Sequence, residues 1–394
     1  MSTEIPLPYA GLRVLDISQG IAGPYCAHIL WQQGADVIKI EPPAGDWIRF
    51  VGVKKNEHSA LAIQFNAGKQ ALALDARVEA GKKILFDLAM QADVIVQNFR
   101  PGAAERMGIG YAALSKLKPD LVYVSISGYG PDGPYADAAA TDSVMQADSG
   151  LMFTNQDAQG TPRRLGMLAA DVITGLYASQ GAATALYQRL ARKLGAHVEV
   201  SLFEACAAFQ GSCFLEQAIA GERPFGAVSA PNAVFATADG NISILVLNDE
   251  QFGRLCAALN RPEWLADPKF ASNTLRMQNR AALYADMIEQ VLEHPTAHWD
   301  ALFKEHDVLH APVRDYNGVL NHPQSLHLDM VQQLEQAGVG TLPYIGLPTH
   351  PFHRQVRSAP RIGENSMQIL MQAGMEASQI EQLIADGVVL QANL

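Results

Sequence analysis

The chain has 394 residues, 48% of them hydrophobic and 18% charged, enough for a large core in two domains or one elaborated one. Lys plus Arg number 29 against 40 for Asp plus Glu, and the formal net charge of −11 argues against wrapping nucleic acid or docking on an anionic membrane. A few local cations would still suffice for a small anionic ligand. Four scattered cysteines (Cys26, Cys206, Cys213 and Cys256) form no C-x-x-C pair and read as buried thiols of a reduced compartment.

In chain order, Met1 to Tyr9 has no basic start and no apolar run, so no signal peptide is expected. No stretch of about 20 uninterrupted apolar residues occurs, and the expectation is a soluble, cytoplasmic protein. Arg13 to Ser18 reads as a strand. A helix follows with Pro24 in its first turn and Gly34 just past its end. Ala35 to Glu41 is a second strand, stopped by Pro42 and Pro43. Ala71–Asp75, Asp93–Gln97 and Leu121–Ser127 read as strands, and Val78–Gln91 as an amphipathic helix. Strands separated by helices predict parallel pairing through right-handed crossovers, a Rossmann-like sheet. A long Ala- and Gly-rich helix is predicted from Asp171 to about Lys193, then a strand from Val198 to Leu202. Beyond Pro224 the texture changes. Strand-like runs flank Asp239-Gly240, a hairpin signal, and charged helices continue to Lys304. The tail holds turns at Pro343, Pro348 and Pro351 and a helical end from Ser366 to Asp386.

Several segments look like chemistry. Gly128-Tyr-Gly-Pro-Asp-Gly133 matches G-x-G-x-x-G, but a dinucleotide fingerprint must open a helix, and Pro131 and Pro134 forbid one there. The loop Ser18-Gln-Gly-Ile-Ala-Gly-Pro24 precedes a helix, so its glycines could admit a ligand to backbone N–H groups; an ordinary strand-to-helix turn has the same spacing. Glu41 ends the following strand, as a ribose-binding acid would, although acids at strand ends are common. Asn98-Phe-Arg-Pro-Gly102 follows a strand at its C-terminal end, where Arg100 and Arg106 could meet phosphates and Phe99 could stack. His294/His298 and His306/His310 are spaced i, i+4 without an H-E-x-x-H pattern, so no metal site is expected. Asp171 opens a helix, where aspartate is a favoured N-cap; the positive helix end would also keep such a carboxylate ionised and nucleophilic.

Taken in order, these segments resemble the class III CoA-transferases, the formyl-CoA transferase and crotonobetainyl-CoA transferase group. The resemblance runs from Gly11-Leu-Arg-Val-Leu-Asp16, Ala22-Gly-Pro24 and Gly34-Ala-Asp-Val-Ile-Lys-Ile-Glu41 through Leu74-Asp75 and Asn98-Phe-Arg-Pro-Gly102. It continues with Arg106-Met-Gly108, Ser127-Gly-Tyr-Gly130 and Asp142-Ser-Val-Met-Gln-Ala147. Ala170-Asp-Val-Ile-Thr-Gly-Leu-Tyr-Ala178 and the region from Arg261-Pro-Glu-Trp264 to Arg280 complete it. It implies that Asp171 matches the family's catalytic aspartate. Contacts to CoA are implied from Gln19, Ile21 and Ala22, from Leu74, Asp75 and Arg77, from Asn98, Phe99 and Arg100, and from Arg106 and Tyr129.

The implied reaction moves coenzyme A from an acyl-CoA to a free carboxylic acid, with a dicarboxylate by family analogy, and needs no cofactor beyond CoA itself. The implied assembly is an interlocked homodimer. Domains are expected at 1–224 (large, CoA-binding), 225–318 (small α+β) and 319–394 (returning to the large domain). No glycine run lies between Pro224 and Asn260 where formyl-CoA transferase has one, which argues against formyl-CoA and oxalate as substrates. An α-methylacyl-CoA racemase reading lacks its second acid/base group, because Thr141 stands where those enzymes carry histidine. A non-catalytic CoA-binding protein would have no need of Asp171 in its motif.

Overall fold

The computed structural model describes residues 6–157, 159–221 and 228–392. Six parallel strands form its largest sheet: β1 (Arg13–Asp16), β2 (Asp36–Glu41), β3 (Gln70–Leu74), β4 (Val94–Gln97), β5 (Val122–Ser127) and β6 (Ala196–Ser201). Their order is β3-β2-β1-β4-β5-β6, and Val389–Leu390 adds an antiparallel strand beside β3. Alternation explains the layering. Val14, Val94, Val96, Val122 and Val124 pack into one apolar layer, while Leu15, Ile95 and Tyr123 pack into the other. Both faces are therefore covered, as a parallel sheet requires.

Four helices position the site: α1 (Ala22–Gln32), α2 (Asp142–Asp148), α3 (Ala169–Arg192) and α4 (Leu202–Phe209). Gly34, at φ +119°, turns the chain from α1 into β2. From Gly128 to Ala140 the chain runs in bends and turns, and the next helix begins at Asp142. No helix of the described residues is long and apolar enough to cross a membrane.

The chain divides into two compact units, Met1–Ser212 with Asp329–Leu394, and Cys213–Leu328. The expected boundary at 224/225 lies outside the described residues. In the second unit the hairpin Asn232–Ala236/Asn241–Leu245 forms as read, and Leu309–Pro312 pairs with its second strand.

The tail departs from the sequence reading. Its proline-rich stretch contains a hairpin, Val331–Gln336 with Gly340–Ile345, in which Pro343 sits opposite Gln333. Proline argues against a central strand, but each strand of a two-stranded ribbon has a free edge where the missing N–H costs nothing. The single helical end divides into Ser366–Gln372 and Ala377–Ala385, separated by Gly374 at φ +97°.

Candidate active site

The site grows from the carboxyl ends of β1 and β4, neighbours whose following segments lead to opposite sides of the sheet. Ligands of open α/β sheets bind in such a crevice. The loop after β1 is fixed from beneath by buried charges. Asp16 pairs with Lys69 at 2.7 Å, and the same ammonium donates to the Pro24 carbonyl at 2.8 Å. Lys39 pairs with Asp46 at 3.0 Å, and Asp46 accepts from the Gly20 N–H at 3.1 Å. Paired and hydrogen-bonded in this way, charges can stay inside a core.

Glu41 is part of this frame, which overturns its reading as a ribose-binding acid. Its two carboxylate oxygens receive the Arg49 guanidinium at 2.7 and 2.8 Å, and it is buried. The glycines also act differently from expectation. A Cβ on Gly20 would lie 2.5 Å from the Trp47 ring, and one on Gly23 would lie 2.3 Å from Ser18 Cβ. Protein rather than ligand takes up that space.

Asn98 ties the two loops together. The Gln19 N–H donates to Asn98 Oδ1 (2.8 Å), and Asn98 Nδ2 donates to the Gln19 carbonyl (2.6 Å). Its amide thus holds Gln19 in place. Around this tie lies a cleft of about 560 Å³. Gln19, Ile21, Ala22, Asn98, Phe99 and Arg100 line it, together with Asp171, Asp142, Thr141 and Ser143. Trp47, Val51, Leu61 and Leu168 give it an apolar wall. The start of α1, uncapped by any side chain, reaches the cleft through Ala22.

Asp171 is not the cap of α3. It lies within the first turn, Leu168 holds the cap position, and no side chain of that residue caps the helix. The capping acceptor comes from elsewhere: Asp142 Oδ2 receives the Ala170 N–H at 2.9 Å and the Asp171 N–H at 3.4 Å. Gln146, one turn along α2, donates to Asp142 Oδ1 at 2.7 Å and to the Met167 carbonyl at 3.0 Å. Among the described residues the Asp171 carboxyl has no hydrogen-bond partner of its own, so it is left for chemistry. The expectation that the helix end keeps it ionised fails. Burial first, then the Asp142 carboxylate, push it up to about 7. Perturbation by burial and a specific neighbour, in a cleft, makes it a candidate functional group.

Small residues beside Asp171 are taken up by packing and leave no open space. Ala169 and Ala170 are buried. A Cβ on Gly175 would lie 2.9 Å from the Ala22 carbonyl oxygen and 2.9 Å from the Tyr25 ring. These residues bring α3 against α1, so that Asp171 faces the loop after β1.

Five of the expected contact residues fall outside the cleft lining. Leu74 ends β3 in the core, while Asp75 is clasped by Arg77 at 2.8 Å. Tyr129 donates its hydroxyl to Asp148 at 2.8 Å. Arg106 is exposed in a short helical turn, as Arg100 is on its loop, and among the described residues neither guanidinium has an acidic partner. Sequence reasoning did not single out Gln146 or Asp46. Gln146 had a signal, an i, i+4 pairing with Asp142 on one helix. Asp46 had only the local signal of an aspartate capping the turn at Ile48; its partners Lys39 and Gly20 lie on separate segments.

The model of CoA-transferase family III matches residues 9–366. The succinyl-CoA:glutarate CoA-transferase of Mus musculus is 32% identical over 98% of this chain and 91% of its own length. The acetyl-CoA:oxalate CoA-transferase of Acetobacter aceti is 34% identical over 82% of this chain and 85% of its own. A crystal structure of a CAIB/BAIF family protein from Brucella suis superposes with a TM-score of 0.85 at 29% identity, covering 94% of this chain and all of that one. The chain belongs to CoA-transferase family III and is a CoA-transferase.

Proposed function

We propose that the enzyme carries CoA from an acyl-CoA to a free dicarboxylic acid through covalent intermediates on Asp171. The observation that carries this reading is the Asp171 carboxyl itself: without a hydrogen-bond partner among the described residues, pushed up to about 7 by burial and Asp142, and in one cleft with the α1 start and Arg100. Attack of the carboxylate on the thioester carbonyl expels CoA thiolate and leaves a mixed anhydride between Asp171 and the acyl group. The thiolate then attacks the aspartyl carbonyl, releasing the free acid and forming an enzyme–CoA thioester. The incoming carboxylate reverses both steps. One hard exchange becomes several easier ones. Asp142 takes the first N–H groups of α3, so the uncapped start of α1 is the nearer source of donors for an oxyanion.

In this reading Gln19, Ile21, Ala22, Asn98 and Phe99 border the pantetheine arm, with Arg100 and Arg106 on the phosphates. Leu74, Asp75, Arg77 and Tyr129 would meet the nucleotide end. The relatives that act on succinyl-CoA with glutarate, and on oxalate, support the dicarboxylate class. The large unit made from both chain ends serves as the CoA-binding domain, and two copies assemble as a homodimer. The test is Asp171→Asn, which keeps shape and removes the nucleophile. It is expected to bind acyl-CoA but not transfer CoA, while hydroxylamine traps a hydroxamate on Asp171 in the wild type alone. An active Asn variant would end the proposal.

A further inference from the structure

We propose that Arg164 reads the second carboxylate of the dicarboxylic substrate, an assignment that rests on the aspartyl-transfer reading of the same cleft. Arg164 lies on the segment between α2 and α3. Its guanidinium donates to Ser143 Oγ at 3.2 Å and stands 4.0 Å from Asp142 Oδ1. Ser143 and Asp142 both line the cleft beside Asp171. The side chain is 45% exposed.

Two consecutive arginines here have different fates. Arg163 is consumed locally, closing on Asp157 at 2.6 and 2.9 Å. Arg164 has no partner among the described residues besides Ser143 and the distant Asp142. Nor does Asp142 depend on Arg164. One of its oxygens receives Gln146 and the other receives the α3 N–H groups, and 4.0 Å is beyond hydrogen-bond reach. Four of the five N–H donors of Arg164 therefore have no partner among the described residues, beside the lining residue Ser143.

The rest of the cleft has the complementary chemistry. Trp47, Val51, Leu61 and Leu168 suit a short methylene chain, whose far carboxylate would need a cation at its end. Arg100 is the one basic residue in the lining itself; it sits on the loop after β4 and in the proposed reading serves the CoA phosphates. A guanidinium presents a planar fork that matches a carboxylate with two charge-assisted bonds. With one carboxylate at Asp171 for reaction and the other on Arg164, a dicarboxylate is held at both ends; a monocarboxylate of equal length is held at one.

The test separates this assignment from the reading beneath it. The full-length enzyme is charged with succinyl-CoA to the enzyme–CoA thioester and freed of excess donor. Its discharge by glutarate and by butyrate is then followed in wild type, Arg164→Gln and Arg164→Lys. Arg164→Gln is expected to slow glutarate discharge about tenfold or more, the loss of a charge-assisted pair. Butyrate discharge stays unchanged, and Arg164→Lys recovers part of the preference for glutarate. Equal slowing with both acids would make Arg164 a support of site geometry and overturn the assignment. No slowing with either acid would do the same. If wild type forms no enzyme–CoA thioester at all, the aspartyl route itself fails, and this assignment falls with it.

Discussion

Asp171 and Asp142 lie on different helices, and the separation of their roles is a matter of partners. Asp142 has its oxygens filled by Gln146 and by the first N–H groups of α3, so it serves as a fixed cap. Asp171, half-buried beside it without a donor, is pushed up to about 7. The sign of the consequence is direct. On the proposed route only the ionised carboxylate attacks, so the rate of acylation from acyl-CoA should rise with pH through about 7 and level off above it. Asp142→Asn removes one of the two causes while its amide oxygen can still accept from α3. Its acylation profile should therefore have a midpoint below that of wild type, yet above an ordinary aspartate because burial remains. Single-turnover acylation across pH measures both. An unmoved midpoint in the variant would remove Asp142 from the account.

At the scale of elements, the site depends on how closely α3 approaches α1. Helix periodicity exposes Gly175 to α1, and the missing side chain lets the Ala22 carbonyl and the Tyr25 ring come within contact distance of its backbone. Gly175→Val should push the helices apart, at a cost of about 1–3 kcal/mol for overpacking. The expected result is a lower midpoint of thermal unfolding together with loss of transfer, because Asp171 moves with its helix. Thermal melts and steady-state transfer rates check this together; a variant of full stability and activity would show that the close approach is dispensable. The buried pairs Asp16–Lys69 and Lys39–Asp46 work at the same scale, fixing the loop after β1 so that Asn98 can clasp Gln19.

For the whole molecule, the exposed apolar side chains on the C-terminal half of α3 carry the argument. Tyr187 and Leu190 are 74% and 72% exposed, and Leu194 just beyond the helix is more than half exposed. Clustered exposure of this kind marks a surface that another chain covers. The occupant proposed is a second copy of this chain, consistent with the assembly that the sequence resemblance implies. Analytical ultracentrifugation at micromolar concentration should find a dimer that does not dissociate on dilution without unfolding. A folded monomer under those conditions would contradict it.

The strand and helix pattern of the parallel sheet was legible in the sequence because short runs of β-branched residues and period-3.6 burial leave their mark on local residue order. Val94 to Gln97 and Val78 to Gln91 are examples. Asp171 was legible through its motif and its place near the start of a helix. Tertiary structure decided the rest. Whether Asp171 is a cap or a free carboxyl depends on Asp142, 29 residues away and on another helix, filling the helix end in its place. Glu41 became a buried partner of Arg49 instead of a ligand contact, and Gly175 a packing surface rather than open space, because each is defined by what folds against it. Likewise Pro343 could join a strand only because its ribbon has two strands and so a free edge. Local order fixes which elements form; only the approach of distant segments fixes which polar groups remain unpaired, and those are the groups left for chemistry.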